Sequence, residues 1–127
     1  MSTRHGGKGG AIVNISSIAA VLGSAGEYVD YAASKAAVDT FTMGLAREVA
    51  EEGIRVNAVA PGAVKTSIEA PMESNLSINR IEPLMKALMP PTAEAIEIAQ
   101  AIAWLSSDEA KNINGVILPS DGGWGAV

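Results

Sequence analysis

Two apolar runs rich in β-branched residues, Ala11–Ile15 and Ile54–Val59, flank a long helix-patterned stretch, and that order constrains the fold more than any other feature of the chain. Runs of this kind suit strands buried on both faces, the usual state of strands in a parallel sheet. Asn14 interrupts the first of them. Between the runs, from Asp30 to Glu52, the apolar residues Ala33, Ala37, Phe41, Leu45 and Val49 recur at fours, while Asp39, Arg47, Glu48, Glu51 and Glu52 are polar. The pattern predicts a long amphipathic helix built on that apolar stripe, with Gly53 as its stop. A second helix is predicted over Thr92–Ser107, with Thr92 as N-cap ahead of Glu94 and Glu97, and a third strand over Val116–Leu118. Alternation of this kind predicts an α/β fold whose parallel strands are joined by right-handed crossovers. The carboxyl ends of the strands then share one edge, where open α/β sheets bind ligands. Ser17, Pro61 and Gly62 fall on that edge.

Composition narrows the function classes. The chain has 127 residues, enough for one domain or less. With no cysteine there are no disulfides and no thiolate metal sites, and the single His5 leaves little for a transition metal, so no metal site is expected. A net charge of −5, with only Arg4 and Lys8 close together among the basic residues of the amino terminus, argues against a nucleic-acid surface. No apolar stretch reaches the ~18 residues of a membrane span, and the first residues lack the apolar core of a signal peptide. A cytoplasmic protein is expected.

The chemistry-bearing segment is Tyr31-Ala-Ala-Ser-Lys35, with Ser17 fourteen residues ahead of Tyr31. On a helix, positions i and i+4 lie on one face, so the phenol and the ammonium can point into the same space. A phenol is a poor proton donor or acceptor near neutrality, and a nearby cation favours its ionised form. Lys35 supplies such a charge. Tyr28 lacks this partner, because Ala32 stands four residues after it. The spacing alone is weak, since aromatic residues pack helices and lysines decorate their solvated faces; the order of segments around it carries more.

Ser17 at a strand end, Tyr31 and Lys35 on the following helix, and Pro61-Gly62-Ala63-Val64-Lys65-Thr66 after the next strand together resemble the short-chain dehydrogenase/reductase family, over about Gly9 to Gly123. Within that family the chain is most similar to the sugar-alcohol and 3-oxoacyl reductase type. The resemblance implies a Rossmann-like three-layer fold with a parallel sheet, of which this chain looks like the C-terminal half: the last three strands with their intervening helices. It also implies an NAD(P)-dependent oxidoreductase that moves a hydride between nicotinamide and a small alcohol or carbonyl substrate, in a homo-oligomer.

In that reading Ser17 hydrogen-bonds the substrate oxygen, Tyr31 is the acid in reduction and the base in oxidation, and Lys35 binds the nicotinamide ribose while acting on Tyr31. Ser16 competes for the serine position; the resemblance favours Ser17, one residue further from Tyr31 than in many members. Pro61, Gly62, the main chain near Val64 and the Thr66 hydroxyl would lie against the nicotinamide, Gly62 permitting close backbone approach. Asn14 and Asn57 are expected to tie neighbouring strands or loops by hydrogen bonds, and Asp121-Gly122-Gly123 to form a structural turn. The family's glycine-rich T-G-x-x-x-G-x-G turn and its N-N-A-G segment have no counterpart. Gly6, Gly7, Gly9 and Gly10 precede the first strand and cannot form the dinucleotide fingerprint. Met1 is then either an internal methionine of a longer reading frame or the start of a truncated product, and a second reading remains open: a non-catalytic, self-associating remnant without the dinucleotide-binding half. The segment 67–91, within the single partial domain 1–127, carries Met72, Ile78, Leu84, Met85, Leu88 and Met89 and suits either a substrate lid or a cover over the sheet edge.

Overall fold

The computed structural model describes residues 1–66 and 92–126. The segment read as a substrate lid or cover lies outside them. Three strands, β1 (Gly10–Ile15), β2 (Ile54–Pro61) and β3 (Ile117–Ser120), form one parallel sheet in the order β1-β2-β3. A single turn α1 (Ala19–Leu22) follows β1, the long helix α2 (Val29–Glu48) leads to β2, and α3 (Ala95–Ser106) leads to β3. Among the described residues no helix is long and apolar enough to cross a membrane.

The helices cover opposite faces of the sheet. Alternate residues of a strand point to opposite sides, so Ile54 and Val56 pack with Ala46 of α2, while Val59 packs with Ile98 and Leu105 of α3. Val56, Ala58 and Val59 are completely buried, as expected of a central parallel strand. Arg55, on the α3 side, donates from Nη1 to the Leu105 carbonyl at 2.9 Å and from Nη2 to the Ser107 carbonyl at 3.0 Å. A cation there satisfies carbonyls that the end of α3 leaves open. Asn57, fully buried, donates from Nδ2 to the Ile113 carbonyl and accepts from the Val116 amide, tying the loop before β3 to the sheet as the sequence suggests.

The structure corrects the predicted helix faces and ends. The stripe of fours on α2 is not its buried face: Ala33 and Ala37 are exposed and Phe41 is 60% exposed, whereas Ala32, Thr42 and Ala46 are buried. A step of four residues overshoots a full turn of 3.6, so a strict four-repeat winds around the helix. Its later members Leu45 and Val49 reach the core, and its earlier members face away. The regular helix ends at Glu48, followed by a 3₁₀ turn over Ala50–Glu52 that Gly53 closes with φ +72°.

Helix α3 starts at Ala95 with Glu94 as N-cap, not at Thr92. The Ala93 backbone is already committed to a parallel bridge with Val64, donating to the Ala63 carbonyl at 3.0 Å and accepting from the Lys65 amide at 2.9 Å. A residue held in that bridge cannot take helical angles, so capping passes to Glu94. Its side chain and that of Glu97 form a reciprocal capping box. The third strand runs over Ile117–Ser120, beyond the predicted Val116–Leu118, because β2 extends to Pro61 and pairs with β3 as far as Pro61↔Ser120.

Candidate active site

The carboxyl ends of the three strands meet as the alternation requires. Beyond β1, the Ser16 amide donates to the Val59 carbonyl at 2.8 Å and the Ile18 amide to the Pro61 carbonyl at 3.0 Å. Beyond β2, the Gly62 amide donates to the Ser120 carbonyl at 3.1 Å. Ser16, Ser17, Pro61, Gly62 and Asp121 therefore share one edge.

The two serines part company at the end of β1. Ser16 is 2% exposed and its Oγ donates to the Lys35 carbonyl at 3.4 Å, so its hydroxyl is turned into the contact with α2. Ser17 stays partly open, and its Oγ accepts from the Ala19 amide at 3.2 Å at the start of α1. Among the described residues no hydrogen bond joins Ser17 to Tyr31.

Tyr31 and Lys35 are brought together. One helical turn separates them, and the Lys35 Nζ stands 5.6 Å from the centre of the Tyr31 ring, within cation–π range. The same Nζ donates to the Ile15 carbonyl at 3.0 Å. Parallel pairing explains why that carbonyl is available: the Gly10 and Ser16 amides bond to β2, so the even-numbered residues of β1 face β2, and Ala11, Val13 and Ile15 direct their N–H and C=O groups to the other edge. Lys35 closes the last of these carbonyls. Tyr31 remains 45% exposed, open to a ligand; Tyr28, equally exposed, sits at the N-cap of α2.

The segment after β2 presents its main chain in two directions. In the Val64–Ala93 bridge the bonds run from Ala93 to Ala63 and from Lys65 to Ala93, so the N–H and C=O of Val64 itself point away from Ala93. Among the described residues this donor and acceptor have no hydrogen-bond partner, while the Val64 side chain packs in the α3-side core. Thr66, exposed, follows two residues on. Gly62 also approaches the chain's own turn: a Cβ there would lie 2.9 Å from Asp121 Cα and 3.0 Å from Asp121 Cβ. Asp121 builds that turn by accepting from the Gly123 amide at 2.9 Å and the Gly125 amide at 2.6 Å.

Sequence reasoning missed the clamp between Lys65 and Glu94. These side chains form an ion pair beside the Val64–Ala93 bridge, and the hydrogen bond to the Glu94 carboxylate, reinforced by its charge, raises the Lys65 pKa above the ordinary lysine value. A lysine and a glutamate so far apart in the chain give no local signal of pairing.

Comparison with known proteins finds a family and relatives for the chain. Residues 2–125 match the family model described as Enoyl-(Acyl carrier protein) reductase. The chain is 49% identical over 126 residues to the uncharacterized oxidoreductase YgfF of Escherichia coli, covering 97% of this chain and 49% of that protein. A solved structure of 4-hydroxyisoleucine dehydrogenase complexed with NADH superposes with a TM-score of 0.72 at 30% identity, covering 92% of this chain and 47% of that one. A blue fluorescent protein from a metagenomic library, in complex with NADPH, superposes with a TM-score of 0.74 at 34% identity, over 90% of this chain and 44% of that one. The chain thus spans about half the length of the relatives it matches. With its parallel Rossmann-like sheet and the order of its motifs, it belongs to the short-chain dehydrogenase/reductase family.

Proposed function

We propose that this chain carries the proton-transfer and nicotinamide-facing part of an NAD(P)-dependent oxidoreductase that interconverts a small alcohol and its carbonyl compound. The observation that carries the reading is the position of the Lys35 ammonium, 5.6 Å from the Tyr31 ring centre and 3.0 Å from the carbonyl of Ile15, the last residue of β1 and two positions before Ser17. The nicotinamide cofactor, when bound, supplies or accepts the hydride. Tyr31 Oη gives its proton to the substrate oxygen during reduction and takes it back during oxidation. Ser17 Oγ donates to the same oxygen and orients it. Lys35 would hold the cofactor ribose and places a positive charge beside Tyr31, and the main-chain groups of Val64 that face away from Ala93, with the Thr66 hydroxyl, would hold the carboxamide, next to Pro61 and Gly62. Relatives solved with NADH and with NADPH support either dinucleotide as cofactor.

The test is a fusion of this chain to the part of YgfF that the match leaves uncovered, assayed for NAD(P)H-linked reduction of small carbonyl compounds. Turnover that Tyr31→Phe abolishes supports the reading; turnover that survives Tyr31→Phe overturns it.

One observation favours a second reading, a self-associating module. The edge of β1 away from β2 carries the backbone groups of Ala11 and Val13, for which no partner strand exists among the described residues.

A further inference from the structure

We propose that Thr42, linked to Asn14, is a positioning residue that sets the register of α2 against β1 and thereby the place of Tyr31 and Lys35 relative to Ser17. The proposal rests on the assignment of those three residues above. The residues that α2 buries are Ala32, Thr42 and Ala46. Alanines make shallow ridges, so apolar packing alone resists sliding of the helix along the sheet only weakly.

Within that contact Thr42 is completely buried, and its hydroxyl has a single consistent bonding pattern. Oγ1 donates its proton to the Val38 carbonyl at 2.8 Å, which leaves its lone pairs to accept from Asn14 Nδ2 at 2.9 Å. The orientation of the Asn14 amide follows, since its oxygen would face a hydroxyl with no proton to give. Each residue is locally disfavoured where it stands: threonine is a modest helix former and asparagine is depleted in strands. Together they satisfy one another, the arrangement by which a buried polar pair selects one packing over its neighbours.

The link forms the second of two anchors. Asn14 and Ser16 lie on the same face of β1, and Lys35 and Thr42 lie two helical turns apart on α2, about 10 Å along the axis. At one end Ser16 Oγ meets the Lys35 carbonyl; at the other Asn14 meets Thr42. One anchor would leave α2 free to pivot, whereas two fix both its height and its tilt. A reacting group displaced by about 1 Å can lose on the order of 10²-fold in rate, so register at this level matters to the chemistry.

The test separates positioning from packing. The chain has no cysteine, so single cysteines at exposed Arg47 on α2 and exposed Ala63 beyond β2 can carry spin labels whose separation reports axial movement of α2. Thr42→Ser, which keeps the hydroxyl, should leave the distance distribution unchanged. The double variant Asn14→Leu with Thr42→Val removes both polar partners and should melt near the wild type, because no buried polar group is left unpaired. It should nonetheless shift or broaden the distribution by about 1.5 Å or more, the rise of one helical residue. In the YgfF fusion the same double variant should lower kcat about 10- to 100-fold with KM little changed. A double variant whose label distances match the wild type overturns the proposal, as does a Thr42→Ser variant displaced as far as the double variant. The label readout does not depend on turnover, so a failed Tyr31→Phe test would overturn the catalytic assignment while leaving the register result standing.

Discussion

The Lys35 ammonium bridges two elements, standing 5.6 Å from the centre of the Tyr31 ring on its own helix and 3.0 Å from the Ile15 carbonyl on β1. The carbonyl fixes where the cation lies, and the ring lies within its field. A phenol, a cation and a strand edge thus form one unit with little dependence on loops.

Tyr31→Phe in the YgfF fusion should remove hydride transfer almost entirely. General acid–base catalysis contributes on the order of 10²–10⁴-fold, and the loss should fall on kcat while the cofactor dissociation constant stays near the wild-type value. Steady-state kinetics with a parallel cofactor titration check both halves; activity within twofold of wild type contradicts the assignment.

Lys35→Met should weaken dinucleotide binding as well as turnover. Loss of one hydrogen bond from a charged donor corresponds to about 1.5–3 kcal/mol, or roughly 10- to 100-fold in affinity. Unchanged affinity by calorimetric titration would return Lys35 to the role of a solvated lysine that closes the edge of β1.

Much of this arrangement was legible in the sequence, and what was not has identifiable causes. β1, β2 and the crossover helix followed from apolar runs and a helical pattern, which are local properties. So did the pairing of Tyr31 with Lys35, which needs only helical spacing. The buried face of α2 was misread because Ala33, Ala37 and Phe41 repeat at four where the helix repeats at 3.6. Thr92 looked like a cap because the bridge that occupies Ala93 joins residues far apart in the chain. The approach of Gly62 to Asp121 likewise joins residues far apart in the chain. In each of these last two cases the deciding contact is tertiary.

Gly62→Ala tests that last point. The new Cβ would meet backbone at 2.9 Å, which cannot swing aside as a flexible side chain can. Overpacking of this kind costs about 1–3 kcal/mol. Chemical denaturation should show the loss in the chain without any cofactor present; equal stability would mean that the Asp121 turn moves freely.

The Lys65–Glu94 pair should make stability depend on pH in the alkaline range. The folded Lys65 pKa is raised above its unfolded value, so its stabilising contribution is fully present below the unfolded pKa and is lost as pH rises through the folded one. The melting-temperature difference between wild type and Lys65→Met should therefore be constant from neutral pH to about 10 and shrink above about 10.5. Both partners are well exposed, so the difference should also shrink with added salt. A difference that persists at pH 12, or one that salt does not touch, would show that Lys65 acts through packing of its stem.

The edge of β1 that has no partner strand among the described residues should govern association of the 127-residue chain. Ala11, Val13 and Ile15 turn their backbone groups away from β2, and Lys35 closes the Ile15 carbonyl. An uncovered parallel edge is a template for another strand, and exposed apolar side chains nearby, including Ile15 at 46% exposure, add to the tendency. Ala11→Pro removes an edge-facing N–H without breaking a bond to β2, because the amides that bond β2 belong to the even-numbered residues. Sedimentation over a range of micromolar concentrations should show the wild-type chain associating and Ala11→Pro shifted toward monomer with its helical content retained. If instead the wild type sediments as a cooperatively unfolding monomer, the edge is covered by other means. If Ala11→Pro associates as strongly as wild type, association runs through a different surface, such as the outward face of α2 with Phe41 at 60% exposure.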